Sequence, residues 1–177
     1  MTAYRRNLVA GGTYFFTVNL ADRSLSLLTD NIELLRQAIR STRHRHPFAI
    51  DAIVVLPDHL HAVWTLPEGD SDFAMRWRLI KAAFSRGIDL AEPISASRSR
   101  KQERGIWQRR YWEHTIRDEE DFVRHIEYIH FNPVKHGYVE RVEEWPFSSF
   151  QRMVRLGFYP PGWATPSMGS EGGFGER

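Results

Sequence analysis

The sequence predicts an α+β domain, an antiparallel sheet with helices on one face. Three observations lead there. Stretches rich in β-branched and aromatic residues alternate with segments of helical apolar spacing. A Pro57-Asp58 pair joins two of those stretches as a hairpin. Apolar residues make up 42% and aromatic residues 13% of the 177 positions, enough for one domain with a single core.

The elements follow in order. "TYFFTVNL" (Thr13 to Leu20), bounded by Gly11-Gly12, predicts a first strand. Asp30 followed by Glu33 has the spacing of a capping box. Ile32, Leu35, Ala38, Ile39 and Thr42 then recur at helical spacing, and this helix ends before Pro47. "FAIDAIVVLP" and "HLHAVWTLP" predict the second and third strands. Phe73, Trp77, Ile80 and Phe84 mark a second helix from Asp72, with Gly87 at the position that follows a helix cap. "AEPISASRSRKQERG" is polar, basic and aperiodic, and predicts a loop. "IWQRRYWEHTIR" predicts a fourth strand. Asp118 can cap the next helix, and Pro133 limits its end. "EEWPFSSF" packs back on the domain. The resulting order, β-α-β-β-α-β-α, fits a ferredoxin-like fold. One domain is expected over 1–156. The tail over 157–177 holds six of the twelve glycines and three of the nine prolines, and is expected to be poorly ordered.

Composition narrows the function. The longest apolar run, Ala52 to Leu56, is strand-sized, so no membrane span is expected. The N-terminus lacks a secretory h-region and cleavage site, and with no cysteines, disulfide frameworks and cysteine-built zinc sites are excluded; a cytoplasmic protein is expected. The formal charge is only +2, but it is unevenly spread. Arginines and lysines cluster at 36–45, 76–86 and 98–110, and acids at 118–121 and 140–144. This suits a polyanion-binding face, and equally an ordinary solvated surface.

"LPDHLHAVWTL" places His59 and His61 one residue apart in a strand. Side chains alternate between faces, so the two imidazoles share a face with Val63 and Thr65, at a Cα separation of roughly 7 Å. Leu60, Ala62 and Trp64 take the face toward the helices. Two imidazoles so placed can converge on one metal ion, and they also suit a hydrogen-bonded pair on a sheet. On the helix after Asp118, Tyr128 and Asn132 are four apart and therefore neighbours. They fall to one side of an apolar stripe centred on Phe122, Ile126 and Ile129, together with Asp121 and His125.

"PDHLHAVW" followed by "EYIHFNPVKHGYV" resembles the single-tyrosine transposases of the His-hydrophobe-His (HUH) class, and among them the REP-associated tyrosine transposases, which act on repetitive extragenic palindromes. The resemblance runs from about Tyr4 to about Phe150 and includes the "YFFTV" strand and the "KAAFSR" helix. It implies that His59, His61 and Asn132 hold a divalent ion and that Tyr128 is the nucleophile. Insertion-sequence relatives often carry glutamine at the Asn132 position.

The resemblance further implies a covalent 5′-phosphotyrosine intermediate with release of a 3′ hydroxyl, and magnesium or manganese as the ion. The expected substrate is single-stranded or hairpin DNA, with Lys81, Arg109 and Arg110 as candidate phosphate contacts. Asp58 and His125 are candidate supports for the imidazoles. Trp64, Trp107 and Trp112 are read as core. A monomer is expected, although insertion-sequence relatives work as dimers. The rival readings are a domesticated DNA-binding protein, a replication-initiator-type nickase and a metal-dependent phosphodiester hydrolase.

Overall fold

The computed structural model describes residues 7–89, 94–101, 103–160 and 163. Strands β1 (Thr13–Asn19), β2 (Ala49–Val55), β3 (His59–Thr65) and β4 (Trp112–Thr115) form one sheet in the order β2-β3-β1-β4, antiparallel at every pairing. A single-turn helix α1 (Leu27–Asp30) and the longer α2 (Ile32–Arg45) connect β1 to β2. Helix α3 (Phe73–Arg86) and a short α4 (Ala96–Arg100) connect β3 to β4. This is the ferredoxin-like arrangement that the order of elements predicts.

The strand alternation decides what each face carries. Tyr14, Phe16 and Val18 of β1 and Leu60, Ala62 and Trp64 of β3 are buried against α2 and α3. Trp64 stacks on Trp77 of α3 with ring centroids 4.1 Å apart. The two crossover helices close on each other where α3 ends. A Cβ added at Gly87 would lie 2.6 Å from a Leu34 methyl, so close approach, not a left-handed turn, requires glycine there.

The other face is covered as well. Helix α5 (Glu119–Lys135) and α6 (Phe150–Arg155) bury Phe15, Ala52, Val54 and Val63 in a second apolar cluster. The helix bearing Tyr128 therefore lies across the sheet from α2 and α3 and roofs the histidine face.

Several local expectations are corrected. Asp30 ends α1 and does not cap α2, and Glu33 pairs with Arg36 one turn on. The predicted loop contains α4, capped by the Ser95 side chain. The fourth strand is confined to Trp112–Thr115, because Trp107 leaves the sheet after a single bridge to Leu20 and packs on Phe84. Trp112 is exposed, unlike Trp64 and Trp107. In the C-terminal segment, Tyr159 is buried against Phe150 and His130, and Trp163 packs on Tyr159. Residues 164–177 of the expected tail lie outside the described residues. Among the described residues, no helix is long and apolar enough to cross a membrane.

Candidate active site

His59 and His61 stand on the face of β3 away from α2 and α3, as the alternation predicts. Both are buried, because α5 covers them. Their ring centroids are 5.0 Å apart and the rings are nearly perpendicular, at 86°. In the β1–β3 ladder, Thr17 lies opposite His61 and Asn19 opposite His59, so β1 adds two polar side chains to the same face.

Each imidazole is anchored through Nδ1. His59 Nδ1 lies 2.8 Å from Asp58 Oδ1. Arg23 also approaches Nδ1, at 3.3 Å, but the carboxylate contact is the shorter; a carboxylate only accepts, so this contact favours the proton on Nδ1 and the lone pair on Nε2. Asp58 is itself gripped by Arg23, with Nε 2.6 Å from Oδ2. Burial pushes the Asp58 carboxyl up, but the hydrogen bonds from His59 and Arg23, with the guanidinium's charge, outweigh it and hold the group at about 2. His61 Nδ1 lies 2.8 Å from Thr17 Oγ1. His59 Nε2 is a buried atom that makes no hydrogen bond among the described residues; the same is true of the atoms His61 Nε2 and Asn132 Oδ1.

Helix α5 supplies the third side of the site. Asp118 caps it as expected, accepting from Asp121 N at 2.8 Å. The helix continues through Pro133 to Lys135, beyond the limit that proline was expected to set. A left-handed Gly137, at φ 72°, closes it. Gly137 N donates to Val134 O and Tyr138 N to Pro133 O, the paired bonds of a Schellman closure. Pro133 costs one intrahelical bond, and this closure satisfies the last-turn carbonyls. Asn132 thus stays helical, one turn beyond Tyr128.

The buried stripe of α5 is not centred on Phe122. Asp121, His125 and Asn132 are buried, whereas Phe122 is half-buried. The helix turns a polar stripe toward the sheet because that face offers Thr17, Asn19, His59 and His61 as partners. Tyr128 is half-buried on this stripe, with its ring 5.3 Å from that of His61 and 6.0 Å from that of Phe15, edge-on to both. His59, His61 and Tyr128 therefore lie together, and Asn132 is buried one turn along α5 from Tyr128.

A second histidine group lies beside it. Ligand atoms of His114, Asp121 and His125 come within 4.8 Å of one another. Their proton positions favour an ion network over a metal cage. Asp121 already accepts from His114 Nε2 at 2.8 Å, from Arg117 N and Nε at 3.1 Å each and from Arg124 at 3.3 Å. Burial pushes its carboxyl up, and the hydrogen bonds from His114 and Arg117 more than reverse this, leaving it well below the usual carboxylate range. Of the two residues expected to support the imidazoles, Asp58 holds His59, whereas His125 packs between Phe15 and His114 with Nδ1 2.7 Å from Asp121 O.

Thr17, Asn19 and Arg23 were not anticipated. The first two follow from alternation along β1, where Phe15, Thr17 and Asn19 share the histidine face; Arg23 left no periodic signal. Of the candidate DNA contacts, Lys81 donates to Gln108 O at 3.0 Å and Arg109 pairs with Glu103 at 2.7 Å. Arg110 is exposed.

No family model matches the chain. The REP-associated tyrosine transposase of Escherichia coli (strain K12) is 49% identical over 164 residues, 93% of this chain and 92% of that protein. A Haemophilus influenzae relative is 47% identical over 164 residues, 92% of this chain and 93% of its own length. A solved structure of a REP-associated tyrosine transposase bound to a REP hairpin superposes with a TM-score of 0.85 at 46% identity, covering 100% of this chain and 98% of that one. On that similarity, spread over nearly the whole of both proteins, the chain belongs to the REP-associated tyrosine transposases.

Proposed function

We propose that this transposase cleaves and rejoins single-stranded DNA beside a REP-type hairpin, through a covalent bond between Tyr128 and a 5′ phosphate. The observation that carries the reading is the convergence of Tyr128 on two anchored imidazoles. The Nδ1 contact to Asp58 leaves His59 Nε2 for a ligand, a buried acceptor with no hydrogen bond among the described residues, and Thr17 steadies His61 at Nδ1 beside it. Two imidazole nitrogens and the Asn132 amide oxygen make a mixed donor set that fits manganese or magnesium with positions left open. A bound ion would neutralise charge at a non-bridging phosphate oxygen.

The chain's own residues supply the rest. The Tyr128 phenol loses its proton to solvent and its oxygen forms a bond to phosphorus. The P–O3′ bond breaks, and the departing oxygen takes up a proton to become a 3′ hydroxyl. The reverse step restores the phosphodiester, so joining needs no nucleotide cofactor. The roof that α5 forms over β3 restricts water at the buried end of the site. Arg110 is exposed and would meet phosphate at the surface, and Lys81 and Arg109 would do so by exchanging their present partners. The hairpin as partner is supported by the solved relative bound to a REP hairpin.

The nucleophile and the proposed ligands all come from one chain, which supports a monomer as the active unit, acting on DNA in the cytoplasm. The test is a denaturing gel of the protein with labelled hairpin DNA and manganese. A slow adduct that disappears with Tyr128→Phe and with chelator is the expected result. Cleaved DNA without an adduct, still made by Tyr128→Phe, would replace this reading with a metal-dependent hydrolase. Binding without cleavage would replace it with a DNA-binding protein.

A further inference from the structure

We propose that Lys135 is a positioning residue for the nucleophile: its ammonium holds the Tyr128 hydroxyl before attack and pairs with the transferred phosphate after it. The inference rests on Tyr128 being the nucleophile. Lys135 Nζ donates to Tyr128 Oη at 3.2 Å and lies 4.7 Å from the centre of the same ring. The ammonium therefore sits at the hydroxyl end of the ring.

The backbone puts it there. Tyr128 and Lys135 are seven residues apart, two turns along one face of α5, with Asn132 between them. A helix stopped at Pro133 would lose this alignment, and the Schellman closure at Gly137 carries it as far as Lys135. The Tyr128 side chain is then held at three points: His61 and Phe15 meet the ring edge-on, and Lys135 caps its hydroxyl end. A half-buried tyrosine without that cap keeps freedom about both side-chain torsions. With it, the hydroxyl is held in one place beside the His61 ring, and a fixed nucleophile is what in-line attack needs.

The same ammonium suits the product of attack. Once the phenol oxygen bridges to phosphorus, the non-bridging oxygens lie one bond further out. An ammonium has three donors, so one can stay near the bridging oxygen while another reaches an anionic one. Lys135 transfers no proton in this step. The phenol proton goes to solvent, as in the forward step above.

The test uses Lys135→Met and Lys135→Arg in the full chain, with a labelled single-stranded REP hairpin as the probe. Adduct formation is measured under single-turnover conditions in manganese, and hairpin affinity by anisotropy. Lys135→Met should slow adduct formation about 10–100-fold with little change in affinity. Lys135→Arg should recover most of the rate, because it keeps the charge and the donors. Metal-free protein without DNA gives an independent reading. The Tyr128 ring resonances should shift and broaden in Lys135→Met, while those of Phe16 and Trp64, across the sheet, stay in place. An unchanged ring signal, or a rate loss matched by an equal loss of affinity, would overturn the proposal and leave Lys135 a general DNA contact. If wild-type protein forms no adduct with any hairpin, the nucleophile reading itself fails, whereas the ring signal still decides whether Lys135 orients Tyr128.

Discussion

Thr17 Oγ1 and His61 Nδ1 lie 2.8 Å apart across the β1–β3 ladder, on the sheet face that α5 covers. It is the counterpart, on the neighbouring strand, of the Asp58 contact that anchors His59. Removing the hydroxyl while keeping the shape isolates this role. Thr17→Val should weaken manganese binding about 10–100-fold, the usual cost of losing the group that orients a metal-binding histidine. Titration calorimetry on the purified protein measures this directly. Affinity equal to wild type would mean that His61 needs no anchor.

Much of this arrangement was legible in the sequence. Alternation in β3 separated the two histidines from Trp64 and Ala62, and spacing on α5 grouped Tyr128 with Asn132, Asp121 and His125. What could not be read was which way α5 faces. An apolar stripe of Phe122, Ile126 and Ile129 looks like the buried side, yet Asp121, His125 and Asn132 are more buried than Phe122, since the sheet face beneath them is polar. Boundaries were misread where a tertiary contact overrides local pattern. Trp107 is drawn out of a strand-like run by Phe84, and Gly137 rescues a helix past Pro133.

His130 makes the fold sensitive to acid. It is buried between Tyr159 and Ser149, with ring nitrogens 2.9 and 2.8 Å from their hydroxyls. Burial, aided by the charge of Arg152, pushes it down to about 3 from the ordinary 6.5. The unfolded chain therefore takes up a proton that the folded chain refuses. Its contribution to stability is complete above about pH 6.5 and is lost toward pH 3, at about 1.4 kcal/mol per unit within that window. Burial lowers His125 too, which adds to the same trend. Urea unfolding between pH 7 and pH 5 should show this slope, and His130→Gln should flatten it. An unchanged slope in the variant would assign the effect elsewhere.

Asp121 ties the start of α5 to β4 through His114 and draws in Arg117 and Arg124. Asp121→Asn keeps the shape but removes the charge that satisfies these donors. It should cost about 2 kcal/mol of stability. If the group were instead a metal cage, adding manganese would raise the melting temperature of a variant in which His59 and His61 are both replaced by alanine. On the ion-network account that double variant gains nothing from manganese, and a thermal shift experiment distinguishes the two.

The central claim is that Tyr128 becomes joined to DNA. The most direct measurement is peptide mass spectrometry of protein digested after reaction with a REP hairpin and manganese, then treated with nuclease. The account predicts a single modified peptide, with a 5′-nucleotide on Tyr128. A nucleotide on another residue, or cleaved DNA with Tyr128 unmodified, would contradict it.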